Sequence, residues 1–309
     1  MSTNITMPDL ALSLAQVTKD AIAEIRPRLI DSAFSGVRGE NENFRHEDNF
    51  LSVHDLWMHQ HYKETVRRCI PSFIYASEES DPEVIGSDPD PDLIVLADPL
   101  DTSELAVRGL CGYTHLLVYS RRLARPIAAV VGDIFHYIQL YIAARNDDGT
   151  DRAYAVTADS ATRVLGGLSP QPLSRALVTN YLMRPSERFM PLAHQEGLIE
   201  ALSTASDDGR SRGRIGVDFG SVGLCHVAAG FSDAMLETAK GFAIWDLSPG
   251  HYVLHAAGGT VIDLNGIPIP LDYQLGSLAK IRDAMNQRQK FIAAAGPSLA
   301  HEILDVLRP

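Results

Sequence analysis

The chain has few cysteines, no long apolar run and no excess of positive charge, and each shortage narrows what it can be. Its three cysteines, Cys69, Cys111 and Cys225, are scattered and lack metal-ligand spacing. That odd set offers no disulfide framework and points to a reducing compartment. Nowhere do about 18 apolar residues run together, so no membrane-spanning helix is expected. The first residues lack the basic-then-apolar pattern of a secretory leader. Together these features place the chain in the cytoplasm. Lysine and arginine number 27 against 39 aspartates and glutamates, a formal net charge of −12. That balance argues against nucleic acid or a membrane surface as partner. Repeats, low-complexity tracts and a glycine-rich dinucleotide fingerprint are also missing.

What is present suits a soluble globular protein: 309 residues, 45% hydrophobic and 21% charged, enough to bury a sizeable core in one large domain or two packed halves. Apolar residues at helical spacing predict a helix over 8–34, interrupted or bent at Pro27, and a second over 53–69. A polar, glycine-containing loop separates them. Short apolar runs predict strands at 73–75, 93–96, 115–119, 127–131 and 137–143. A Gly/Pro-rich passage, 166–172, marks the boundary between halves, 1–168 and 169–309. Beyond it the pattern predicts a strand (175–179), a helix (191–205), an acidic loop (206–213), an apolar helix (222–229) and a strand (234–236). A helix over 246–257 is closed by Gly258-Gly259, and a strand (291–295) and a helix (299–307) end the pattern. Regular βαβ alternation is missing, so an α+β layered arrangement fits better than a doubly wound sheet.

The most informative segment is Ala97-Asp98-Pro99-Leu100-Asp101-Thr102-Ser103. It ends the run Leu93-Ile94-Val95-Leu96, where Pro99 is expected to stop the strand in a sharp turn. Two carboxylates, a carbonyl and two hydroxyls then crowd the strand end, the oxygen density that a hard cation such as Mg²⁺ requires. Without a cation the like charges would repel.

Four further segments join it in order: Asp55, Ser77-Glu78-Glu79-Ser80, the run Leu224 to Gly230 ahead of Trp245-Asp246, and Ala256-Ala257-Gly258-Gly259. This ordered set resembles the inositol monophosphatase family of metal-dependent, lithium-sensitive phosphatases, related to fructose bisphosphatases and nucleotide bisphosphatases. The resemblance spans the chain from about Leu10 onward. It implies a layered α-β-α-β-α sandwich and a homodimer. It implies two or three Mg²⁺ ions: Glu78, Asp98 and the Leu100 carbonyl holding one, Asp98, Asp101 and Asp246 a second, with Glu78 available to a third. Two such cations can clamp the attacking and leaving oxygens of an in-line phosphoryl displacement. By the same analogy Asp55 and Ser103 orient and deprotonate the attacking water, with Glu78 also in the catalytic set. The Thr102 and Ser103 amides, opening a helix, would receive phosphate oxygens.

The chain departs from the resemblance at named points. Thr102 stands where relatives usually carry glycine, and a β-branched residue there is strained if the position needs positive φ. Glu104 adds negative charge, with Arg108 placed to neutralise it. Asp218 and Phe219 replace smaller residues at the substrate-facing turn. Glu237 resembles the family's substrate-contacting acid, two residues farther from Trp245-Asp246 than expected. The substrate expected is therefore a small phosphorylated metabolite (a polyol, sugar or nucleoside phosphate) other than myo-inositol phosphate. A nucleotide or sugar bisphosphatase and a catalytically silent phosphate-ligand-binding protein of the same fold remain the alternatives. Other clusters have plainer readings. His54, His59 and His61 fit a polar helix face, Cys225 a small core residue, and Arg121, Arg122 and Arg125 a surface turn. The loop 38–46 is read either as a cover over the cations or as simply disordered.

Overall fold

The computed structural model describes residues 7–45, 49–205 and 209–307. His46, at the end of the expected covering loop, and 206–208 of the acidic loop lie outside them. Two compact units emerge, Met1–Val164 with Leu271–Asn286, and Leu165–Pro270 with Gln287–Pro309. The sequence reading places one boundary at 168. The first compact unit ends at Val164 and also takes in 271–286.

The first unit opens with α1 (Asp9–Ser35), which buries Leu14, Ile22, Ile25 and Leu29 along one face. Each such side chain contributes about 1.5–3 kcal/mol on leaving water. Of the two outcomes expected at Pro27, interruption does not occur: the helix continues through it, with Ile25 and Leu29 on either side fully buried. Gly36, at φ 72°, ends the helix and donates its N–H to the Ser32 carbonyl, a left-handed cap that glycine adopts without Cβ strain. A short hairpin, β1 (Glu40–Asn41) and β2 (Leu51–Ser52), leads into α2 (Val53–Val66).

There follow β3 (Phe73–Ser77), β4 (Ser80–Ile85), β5 (Leu93–Asp101), the single turn α3 (Ser103–Ala106), β6 (Tyr113–Ser120), β7 (Arg125–Asp133), β8 (Ile138–Arg145), β9 (Asp151–Thr157) and β10 (Thr162–Leu165). The strands form one sheet in the order β10-β9-β8-β7-β6-β5-β3-β4. Only the β3–β5 pairing in it is parallel among those described. Phe73, Tyr75, Val95, Ala97, Leu116 and Val118 share one core with the apolar faces of α1 and α2.

One expectation fails at the most informative segment. Pro99 does not stop β5, which runs on to Asp101. The pairing instead slips, Asp98 opposite His115 and Asp101 opposite Tyr113, so three steps on β5 face two on β6. Such a bulge tolerates a proline that a regular ladder would not.

The second unit comprises β11 (Leu177–Asn180), a wide π-type turn (Pro185–Phe189), α4 (Met190–Ala193), α5 (Glu196–Ser203), β12 (Arg214–Val217), α6 (Gly220–Ala228), β13 (Ala234–Phe242), α7 (Ile244–Ala256) and β14 (Thr260–Ile262). The chain then gives α8 (Leu278–Met285) to the first unit before β15 (Gln289–Ala294) and α9 (Pro297–Val306) complete the second. The sheet order is β12-β11-β13-β15-β14, with β11 parallel to both neighbours and β15 antiparallel to its own. Val178, Leu198, Leu236, Ile292 and Ile303 belong to its core. The helix expected over 191–205 is two pieces, α4 and α5, separated at His194-Gln195. Each unit layers helices on a sheet, a mixed α+β fold. No helix among the described residues is long and apolar enough to cross a membrane.

Candidate metal centre

The end of β5 sets the geometry. Along a regular strand, side chains alternate faces, so residues three apart point oppositely. Asp98 and Asp101 are three apart, yet the bulge at Pro99–Leu100 returns Asp101 to the side of Asp98. Ligand atoms of Asp98, Asp101 and His115 all lie within 4.8 Å of one another. Asp98 and His115 are almost fully buried, at 1% and 0% exposure. His115 Nδ1 stands 3.9 Å from Asp98 Oδ2, and Nε2 stands 3.5 Å from Asp101 Oδ2. His115 is absent from the sequence-derived site. A lone histidine inside the apolar run of β6 reads as core, and only the strand register places it opposite Asp98.

Asp55 is fixed by its own helix start. Ser52 caps α2, its Oγ accepting from the His54 N–H at 3.2 Å, and Asp55 Oδ2 accepts from the Ser52 N–H at 2.7 Å. This reciprocal cap leaves Asp55 Oδ1 to accept from Ser103 Oγ at 2.6 Å. Ser103 Oγ also lies 2.9 Å from the Leu100 carbonyl oxygen. Asp55, Ser103 and Leu100 thus form one polar chain running to the strand end. Burial pushes the Asp55 carboxyl up to about 6, against the pull of its hydrogen bonds from Ser103 and Ser52. Glu79 is also pushed well up, by burial first and then by the Asp55 charge, with Arg45 opposing.

Glu78 sits one residue beyond the register pair Ser77–Ala97, its N–H donating to the Ala97 carbonyl at 3.1 Å. It is not among the three residues that converge within 4.8 Å. The donor set fits a divalent cation on its own chemistry. Two carboxylates held this close repel unless a cation or a proton intervenes, and the Leu100 carbonyl adds a third oxygen of the kind hard cations take.

Thr102 carries the cost of the turn. It adopts φ 61°, ψ 37°, the left-handed conformation the sequence reading flagged as strained for a β-branched residue. Its hydroxyl donates to the Asp101 carbonyl at 2.6 Å. The turn it opens is α3, and Arg108 pairs with Glu104 across it at 2.9 Å, as its spacing suggested.

The remaining expected residues lie in the second unit. Asp246 falls in the first turn of α7, where the helix dipole favours a carboxylate. Ser221 on α6 donates to the Asp246 carbonyl at 2.6 Å and accepts from the Gly250 N–H at 3.0 Å. A Cβ on Gly250 would come within 2.3 Å of the Ser221 carbonyl oxygen, so α6 and α7 approach here only because position 250 is glycine. Asp218 is buried, with Oδ1 accepting from the Phe219 N–H at 3.0 Å and Oδ2 lying 2.8 Å from His226 Nδ1. Phe219 is half-buried and meets Tyr181 edge-on, ring centroids 5.5 Å apart. Glu237 is buried as well: Oε1 accepts from the Ala239, Lys240 and Gly241 N–H groups, and Oε2 pairs with Arg188. Arg188, in the π-type turn, stacks 4.3 Å from the Tyr181 ring centroid. Nothing in the sequence separation of 49 residues announces that pair.

The plainer readings can be compared with their surroundings. Cys225 is fully buried. His54 Nε2 lies 2.9 Å from Ser32 Oγ, and His59 Nδ1 lies 3.0 Å from Ser77 Oγ. These two rings pack against neighbouring hydroxyls instead of lining an open polar face.

Comparison with known proteins completes the description. Residues 12–302 match the inositol monophosphatase family. Nus factor SuhB of Pasteurella multocida is 27% identical over 246 residues, covering 80% of this chain and 78% of that protein. Among solved structures, the extragenic suppressor protein suhB from Bartonella henselae superposes with a TM-score of 0.65 at 16% identity, covering 96% of this chain and 97% of the other. Fructose-1,6-bisphosphatase of Leishmania major, in its holo form, gives a TM-score of 0.68 at 11% identity, covering 99% and 96%.

Proposed function

Because the chain belongs to the inositol monophosphatase family, whose members are metal-dependent phosphatases, we propose that it is a Mg²⁺-dependent phosphomonoesterase acting on a small polyol, sugar or nucleoside phosphate. The observation that carries this reading is the polar chain Asp55–Ser103–Leu100 ending beside the convergent Asp98 and Asp101. Asp98, Asp101, the Leu100 carbonyl and Glu78 would hold the cations. Asp246 joins them on the order of the motifs alone. Bound there, divalent cations supply positive charge to the phosphate oxygens and make a water acidic enough to attack near neutral pH.

The chain's own groups do the rest. Asp55, its carboxylate aimed by Ser52 and Ser103, receives the proton of the attacking water, and Ser103 Oγ orients that water by hydrogen bonding. The Thr102 and Ser103 amides receive phosphate oxygens. Phe219 meets the alcohol portion of the substrate. Asp218 and Glu237 act on it through what they hold, the Phe219 turn and the Arg188 guanidinium. The Tyr181–Phe219 ring pair favours one second reading, a nucleotide bisphosphatase whose substrate stacks a base there. The resemblance also carries a homodimer and inhibition by Li⁺, and the scattered cysteines suit a cytoplasmic location.

The test is a panel of phosphate esters assayed for phosphate release by the purified protein. Release should require Mg²⁺, fall as Li⁺ is added, and disappear in Asp98→Asn. An Asp98→Asn protein of full activity, or a wild type that binds phosphate esters without turning over any of them, would overturn the proposal.

A further inference from the structure

The metal centre contains a residue that an oxygen-only magnesium site does not need. His115 lies directly opposite Asp98 in the antiparallel β5–β6 ladder, the position where side chains share a face and approach most closely. Its neighbours in β6, Leu116, Leu117 and Val118, are all fully buried and apolar. An imidazole at that depth is costly unless it meets polar partners, and both ring nitrogens face carboxylates, Nδ1 toward Asp98 and Nε2 toward Asp101. An imidazole gives a single nitrogen to one ion, and one His115 nitrogen with one oxygen each from Asp98 and Asp101 lie within 4.8 Å of one another, near the roughly 3–4 Å at which ligands about 2.1 Å from a shared octahedral cation stand apart.

Resting on the reading of Asp98 and Asp101 as metal ligands, we propose that His115 is a nitrogen ligand of that centre. This chain would then favour first-row transition ions such as Mn²⁺ over Mg²⁺ more strongly than carboxylates alone would. The chemistry follows from the donor. Mg²⁺ takes oxygen ligands and dehydrates reluctantly, whereas imidazole suits the transition ions. A buried nitrogen among carboxylates therefore tilts selection toward them. A purely structural histidine would steady the two aspartates and leave the preference among ions untouched.

The experiment uses the full chain, stripped of metal and then loaded with Mn²⁺. Pulsed electron paramagnetic resonance of the Mn²⁺ form should show the ¹⁴N modulation of a coordinated imidazole. His115→Asn, which keeps a polar oxygen and removes the ring, should lose that modulation. The ratio of Mn²⁺ to Mg²⁺ affinity, measured by competition, should fall at least about tenfold, the scale known for even indirect partners of a metal. Absence of nitrogen modulation in the wild type would overturn the proposal, as would an unchanged affinity ratio in His115→Asn or a failure to bind Mn²⁺ at all. If His115→Asn does not fold, the wild-type spectrum decides alone. A protein showing nitrogen modulation without phosphate release keeps His115 as a ligand and sinks the phosphatase reading, and the converse result separates the two in the other direction.

Discussion

Ser103 Oγ stands 2.6 Å from Asp55 Oδ1 and 2.9 Å from the Leu100 carbonyl oxygen, yet a serine hydroxyl has one hydrogen to donate. The two acceptors therefore share it, which couples the proposed base to the backbone of the metal-binding turn. Asp55→Asn should lower the rate of phosphate release by about 10²–10⁴, the range of general-base catalysis, and Ser103→Ala should fall in the same direction. Because the residues act as one chain, the double variant should be little slower than the worse single variant. Steady-state assays of all three decide it. Multiplicative losses would show that the two side chains act independently.

Thr102 is held at φ 61°. Left-handed backbone costs a residue with a Cβ about 1–2 kcal/mol, and glycine returns part of that through its looser unfolded chain. Thr102→Gly should raise the free energy of unfolding by about 0.5–1 kcal/mol, read as a higher urea midpoint. Thr102→Ala, which keeps the strain, should bring no gain. A lower midpoint for the glycine variant would mean that the hydroxyl bond to the Asp101 carbonyl outweighs the strain.

The Arg188–Glu237 pair is buried at both ends, 8% and 1% side-chain exposure. Removing one partner strands a charge, so Arg188→Met or Glu237→Leu alone should cost about 3–5 kcal/mol of stability. The double variant should recover part of that loss, since no lone charge remains. Chemical unfolding of the four proteins gives the coupling directly, and simple additivity would contradict it.

His251, inside α7, is pushed down to about 3, by burial first and then by nearby His255. A histidine that stays neutral when folded but takes a proton near 6.5 when unfolded favours the unfolded chain in acid. Its effect is therefore absent above about pH 6.5, grows as pH falls below that value and levels off near pH 3. His251→Gln, which cannot titrate, should lose less stability than wild type between pH 7 and pH 4, monitored by thermal unfolding. Parallel losses in the two proteins would exclude this residue as the source.

The acidic motifs could be named from the sequence because their setting is local: Asp55 at the start of a helix, Asp98 and Asp101 at the end of an apolar run, Asp246 opening a helix closed by glycine. Thr102 was legible as a departure, since a glycine-preferring position can be recognised before its φ is known. What escaped depends on pairing at a distance. The bulge at Pro99 exists only against β6, so the strand looked finished where it was merely bent. His115 could be placed beside Asp98 only by the register of two strands. Arg188 meets Glu237 through a turn that no short motif marks. The helix α8 escaped because eight residues with two buried apolar positions, Ile281 and Met285, give a weak periodic signal.

That last helix has a consequence for any attempt to divide the molecule. It packs on β4, the outermost strand of the first unit's sheet, and its approach is tethered by Tyr119 donating to Asp272 and Arg121 to the Gly276 carbonyl. A fragment cut from the chain near residue 168 would lack the helix that packs on that border strand. Grafting or exchanging either half requires two junctions, and an amino-terminal fragment that keeps the whole first unit must carry the 271–286 segment as well.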